Sequence, residues 1–64
     1  MRTWVKEARL AKSLTQGQVA GAAGISESYF CQIETGQRTP RPETAKSIAT
    51  VIGVDWTRFY EEVA

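Results

Sequence analysis

The sequence predicts an all-α fold of five short helices, and three observations carry that expectation. Apolar residues recur at helical spacing through most of the 64 residues. Gly24, Gly36 and Gly53 each close one such segment, at the point where a helix needs a residue that tolerates positive φ. Thr15 with Gln18 three residues later reads as a capping box, in which the hydroxyl takes one orphan backbone N–H and the amide reaches back.

The elements follow in order. Met1, Trp4, Val5, Ala8 and Ala11 form one stripe, which gives a first amphipathic helix near residues 3–12 and leaves Leu10 off the stripe, partly exposed. Ser13 and Leu14 connect it to the capping box. The second helix is expected near 16–23, with Val19, Ala20 and Ala23 on one side. Ile25 anchors the turn, Ser26 caps a third helix near 27–35, and Phe30 and Ile33 lie on its inner side. Two helices packed across so few residues need a small side chain at their crossing, and Ala20 supplies it. The segment Thr15–Gly36 is therefore a helix-turn-helix, whose second helix is the natural reader of a DNA major groove.

Gly36-Gln37-Arg38-Thr39-Pro40-Arg41 is a loop, because a residue before proline avoids helical geometry. Pro42 suits the first position of a fourth helix, and Glu43 is favourable near its positive end. Ala45, Ile48, Ala49 and Ile52 line the inner face of that helix. Asp55 caps a short fifth helix presenting Trp56, Phe59 and Tyr60. The chain reads as one domain over 1–64, with no repeat and no linker.

Composition narrows the function. A chain this short buries only about 60% of its unfolded surface, so its core must be compact. The one cysteine, Cys31, has no internal partner, which fits a reducing compartment, and with no histidine there is no credible zinc site. No apolar run approaches the roughly 20 residues that span a membrane, and no signal peptide precedes the first helix. The expectation is a cytoplasmic, nucleoid-associated protein without a cofactor, metal or evident small-molecule site. Met1 reads as a native start, of either a complete small regulator or the DNA-binding part of a longer repressor.

Net charge is only +1, so the total does not argue for DNA. Its distribution is more informative. Arg2, Lys6, Arg9 and Lys12 stand against Glu7, and Arg38, Arg41 and Lys46 against Glu43, while Asp55, Glu61 and Glu62 outweigh Arg58 at the end. A mixed, solvated surface gives much the same count.

The residues Arg9, Leu14-Thr15-Gln16, Val19-Ala20, Gly24-Ile25-Ser26, Tyr29-Phe30, Gln32-Ile33-Glu34, Gly36, Pro40, Glu43-Thr44, Ile48-Ala49 and Gly53-Val54 together resemble the phage repressor and Cro-type (XRE-type) helix-turn-helix family. The match runs over nearly the whole chain. It implies a compact five-helix repressor-like domain that binds double-stranded operator DNA, usually as a two-fold homodimer on a palindrome. The chain departs from the family pattern at Gly17 and Gly21, each costing about 1 kcal/mol inside a helix relative to alanine. It departs also at Pro42 and Ala45, where larger apolar residues are usual.

The resemblance places base-reading positions at Glu27, Ser28 and Gln32. Helical period agrees, since Ser28 and Gln32 lie four apart with Glu27 beside them. Gln32 is the strongest candidate, because a carboxamide can donate to and accept from adenine. Ser28 discriminates poorly, and Glu27 either accepts from cytosine or is a favourable charge on the first helical turn. Phosphate contact is expected from Gln16, at the positive end of the second helix, with Gly17 beside it allowing close backbone approach. The family lays the following loop along the backbone, which brings in Thr35, Gln37, Arg38, Thr39 and Arg41, with Arg38 foremost.

Arg9 and Glu34 match a partly buried ion pair of the family that ties the first helix to the end of the third, a structural role. Cys31 borders the reading face and reads as a plain small residue, though its oxidation there would disturb groove contact. Trp56, Phe59 and Tyr60 read as core, with some of that surface available to a dimer. Two functions compete: a sequence-specific regulator, most simply a repressor, and a protein-interaction module such as an antitoxin or transcription adaptor. An enzyme is not expected, as the glycines at 17, 21 and 24 fall on a helix and its cap rather than after a strand.

Overall fold

The computed structural model describes residues 1–61, so Glu62, counted above in the acidic end, lies outside the described residues. The chain forms α1 (Thr3–Ala11), α2 (Gln16–Ala23), α3 (Glu27–Thr35) and α4 (Pro42–Ile52), followed by a 3-10 helix, Trp56–Tyr60. No strand occurs among the described residues. The expected fifth helix is thus a single tight 3-10 element. Asp55 accepts the backbone N–H of Thr57 at 3.0 Å, a two-residue reach that starts a short, tight turn.

Local chemistry sets the boundaries. The Thr15 hydroxyl accepts the Gln18 N–H at 3.1 Å while the Gln18 side chain accepts the Thr15 N–H at 2.8 Å, closing the capping box. Ser26 starts α3 in the same way, accepting the Tyr29 N–H at 3.1 Å. Gly24 and Gly36 end α2 and α3 at φ +77° and +90°, conformations that a side chain would strain. Pro42 opens α4, whose Ala45, Ile48, Ala49 and Ile52 are buried as the periodicity requires.

One core joins these elements. Val5 of α1, Val19 and Ala20 of α2, Phe30 and Ile33 of α3, Ala45, Ile48 and Ile52 of α4, and Phe59 of the 3-10 helix form it. α2 packs on both α3 and α4, and α1 lies across α3 and α4. Ala20 is buried in the helix-turn-helix, as its small size requires. The Trp4 ring meets the Phe59 ring edge-on at 4.9 Å between centroids, fastening the two ends of the chain together.

The first helix corrects the sequence reading. Met1 is 70% exposed and Ala11 is also exposed, so the apolar stripe is shorter than expected, while Leu10 is 54% exposed as its offset predicts. In their place two arginines turn inward: Arg2 is 6% exposed and Arg9 8%. Both fill interior space with their stems and find acceptors for their head groups, described below. Among the described residues no helix is long and apolar enough to cross a membrane.

Two outcomes follow from this packing. Gly21 faces open space within α2, so Gly21→Ala is expected to stabilise the fold by about 0.5–1 kcal/mol. A thermal melt should then show Tm raised by roughly 2–8 °C in a domain this small. Asp55 is held below its ordinary pKa first by the Thr57 backbone N–H and then by the Thr57 hydroxyl. A depressed carboxylate contributes to stability above the ordinary value and loses that contribution as pH falls through the depressed one. An NMR carboxyl titration should place the Asp55 midpoint below that of an unstructured aspartate, and Thr57→Ala should move it part of the way back.

Candidate nucleic-acid interface

The outward face of α3 is polar and uncovered. Glu27 and Ser28 are exposed and Gln32 is half-buried, whereas Phe30 and Ile33 on the opposite side are buried. This division follows from the helical period, since positions four apart share a face. Cys31 is half-buried and free.

Behind that face lies Glu34, 2% exposed, which links three helices. Its carboxylate accepts from Arg9 Nε at 2.9 Å and Arg9 Nη2 at 3.4 Å, from α1. From α2, Gln16 Nε2 donates to Glu34 Oε1 at 2.8 Å. Arg9 Nη1 spends a further donor on the Leu14 carbonyl at 2.9 Å, just ahead of the capping box. The ion pair implied by the resemblance is therefore present, and it also orients Gln16. A primary amide carries two N–H donors; one Gln16 donor goes to Glu34, which leaves the amide a second donor at the positive start of α2.

Glu27 and Gly17 meet across the turn. The Glu27 carboxyl lies about 3.6 Å from where a Cβ on Gly17 would stand, so an acidic group rests against the first turn of α2. The missing side chain at Gly17 leaves room for that carboxylate, a neighbour the sequence reading did not foresee. The placement is electrostatically favourable, because both helix starts project positive potential there.

The loop after α3 is held from several sides. The Gln32 carbonyl accepts the N–H groups of Gln37 at 2.9 Å and Arg38 at 3.2 Å, folding the chain back over the last turn of the helix. Arg2 Nη1 donates to the carbonyls of Ile33 and Arg38, the latter at 2.9 Å, and Arg2 Nη2 reaches Thr39 Oγ1 at 3.3 Å. A guanidinium at this point also offsets the negative end of the α3 dipole. From below, the Tyr60 hydroxyl donates to the Pro40 carbonyl at 2.6 Å. From sequence Arg2 was only counted among the basic residues and Tyr60 was read as a core aromatic; both are clamps on this loop.

The loop residues expected at phosphates differ in what they have left to offer. Gln37, Arg38, Thr39 and Arg41 are exposed. Thr39 accepts from Arg2, so its own O–H stays available as a donor. Thr35 is half-buried and its hydroxyl donates to the Gln32 carbonyl at 3.2 Å, turning its proton inward. Arg38 Nε donates to Gln32 Oε1, and its guanidinium carbon stands 5.8 Å from the centre of the Tyr29 ring.

Comparison with known proteins agrees with this geometry. A family model described as helix-turn-helix matches residues 5–59. The chain is 46% identical over 63 residues to the uncharacterized HTH-type transcriptional regulator YqaF of Bacillus subtilis, covering 98% of this chain and 83% of that one. It is 42% identical over 53 residues to the uncharacterized HTH-type transcriptional regulator RghRB of the same organism, covering 81% of this chain but 38% of the relative. It is 37% identical over 51 residues to the ImmF control region 10 kDa protein of Bacillus phage phi105, covering 80% of this chain and 57% of that protein. No solved structure matches significantly.

The Glu34 junction predicts a separation of stability from recognition. Glu34→Gln leaves the Arg9 charge uncompensated, an effect of around 3–5 kcal/mol for a buried pair. That is a large share of the roughly 3–10 kcal/mol expected of a domain this size. Melting should drop markedly, while the order of preference among DNA sequences, measured below the new Tm, stays the same.

Proposed function

Since the chain belongs to the XRE-type helix-turn-helix family and is a DNA-binding transcriptional regulator, we propose that it acts as a repressor. In this reading it binds a palindromic operator as a homodimer in the cytoplasm, on the nucleoid, with residues 1–64 working as one DNA-binding domain. The observation that carries the reading is the uncovered polar face of α3, backed by a buried face of Phe30 and Ile33. The phage relative's name, which ties it to a control region, supports a role at a genetic switch.

Each residue has a task in this scheme. Glu27, Ser28 and Gln32 face base edges. Gln16 and the adjacent backbone at Gly17 meet one phosphate, and Gln37, Arg38, Thr39 and Arg41, with Thr35 at the loop's start, follow the next stretch of backbone. Phosphate contacts fix the register and base contacts specify the sequence. The chain carries one helix-turn-helix, α2 and α3, and so offers one reading helix. In this scheme one chain reads one half-site, and two-fold recognition takes two. Occupying a promoter in this way excludes polymerase. The net charge of only +1 and Glu27 resting against α2 favour the protein-interaction alternative, because a carboxylate there repels phosphate.

Selection from random DNA decides between them. The expected product is a palindrome with half-site centres about 10 base pairs apart. A salt titration on that site should give three to five phosphates neutralised per monomer, with log K falling by about 0.9 per phosphate for each tenfold rise in salt. Affinity that ignores salt, with no sequence enriched, would remove the DNA reading and leave the interaction module.

A further inference from the structure

We propose that Arg38 sets the base specificity of the reading helix by fixing which end of the Gln32 carboxamide faces the DNA. The proposal rests on the reading above, in which α3 enters the major groove, and goes beyond it by assigning the base that Gln32 recognises.

A free glutamine side chain can present either its oxygen or its nitrogen. Gln32 has lost that freedom. Arg38 carries only donors, so the Gln32 atom that meets its Nε–H has to be the carbonyl oxygen Oε1. The amide nitrogen is then the end left to face outward, with its two N–H donors. The carboxamide is oriented by chemistry and not by a free choice of rotamer.

Arg38 in turn is not free to drift. Its backbone N–H is bound to the Gln32 carbonyl, and its own carbonyl is held by Arg2 Nη1. Its guanidinium lies within cation–π range of the Tyr29 ring, and Tyr29 stands three residues before Gln32 on the same side of α3. Residues 32 and 38 are therefore joined both through backbone and through side chains, before any DNA is present. An arginine also suits the position because its fork separates tasks. Nε holds Gln32 while the terminal nitrogens remain available for a phosphate.

The consequence is a change of code. Adenine offers an acceptor at N7 and a donor at N6, and glutamine reads it only by supplying both a donor and an acceptor. With Oε1 turned onto Arg38, the end of Gln32 presented outward is the donor nitrogen, which would face adenine's N6 amino group. Guanine offers two acceptors, N7 and O6, and matches the outward amide. The base read by Gln32 is guanine, in contrast to the adenine that a lone glutamine on a reading helix suggests.

The experiment is random-site selection with the wild-type chain and three variants, followed by measured affinities on sites varied at one position. Gln32→Ala identifies the position by flattening it alone. There the wild type should favour guanine over adenine by about tenfold, within the range of one good base contact. Arg38→Met removes the Nε–H and keeps the aliphatic stem; it should reverse the order to adenine over guanine at that position and no other. Arg38→Lys keeps the charge, but it replaces a planar fork with one mobile ammonium that does not fix the angle at Oε1. It should keep most of the affinity and lose the guanine preference. Thermal melts of each variant confirm folding, and the exposed position of the Arg38 side chain makes both replacements compatible with it. Adenine preferred by the wild type at the Gln32 position overturns the proposal. So does a uniform loss of affinity in Arg38→Met, rescued by Arg38→Lys, with guanine still preferred in both. No site enriched by the wild type overturns the DNA reading itself and this assignment with it.

Discussion

A single buried carboxylate organises this small protein. Glu34 sits on α3, takes two guanidinium bonds from α1 and one amide bond from α2, and is almost fully removed from solvent. Desolvating a charge at such a depth is costly unless every lone pair has a donor, and here the donors come from two other helices. The angle between the helices of the helix-turn-helix is thus fixed from the inside by directional bonds, in addition to the non-directional packing around Ala20. The same carboxylate aims Gln16 at the start of α2, so one buried group sets both the frame and a surface residue.

The second constraint is the way the loop after α3 is immobilised. Loops usually carry function at the expense of order, because their backbone groups lack partners. Here the backbone of residues 37 and 38 bonds to α3, Arg2 holds the carbonyl of Arg38, and Tyr60 holds that of Pro40. The side chains that remain outward are consequently presented by a rigid backbone. Preorganisation of this kind spares a binding surface the entropy of ordering its loops on contact.

How much of this the sequence discloses depends on distance along the chain. Helix starts and stops were legible because their chemistry is local: Thr15 and Gln18 are three residues apart, and Gly24 and Gly36 act where they stand. The core of α4 was legible from period alone. The pairing of Arg9 with Glu34 came from family resemblance, as no spacing rule joins residues 25 apart. Arg2 was invisible as a clamp because its partner carbonyls are 31 and 36 residues away and belong to backbone, which has no letter in the sequence. Gln32 and Arg38 were each singled out, yet for separate tasks. Their bond depends on the loop folding back over α3, a turn of the chain that neither residue type announces. Met1 and Ala11 failed for a related reason: periodicity counts apolar letters, and the stems of Arg2 and Arg9 took the interior places instead.

The clamp formed by Arg2 and Tyr60 blurs the border between scaffold and reading surface. Both residues lie beneath the loop, one ahead of α1 and one in the closing 3-10 helix, and neither belongs to the outward polar face of α3. In a genetic screen for lost DNA binding, hits at these two ends of the chain would arise without touching a nucleotide. Proximity to DNA would then be a poor guide to which alleles matter, and a phenotype at Tyr60 would be mistaken for simple misfolding unless binding and unfolding were scored apart.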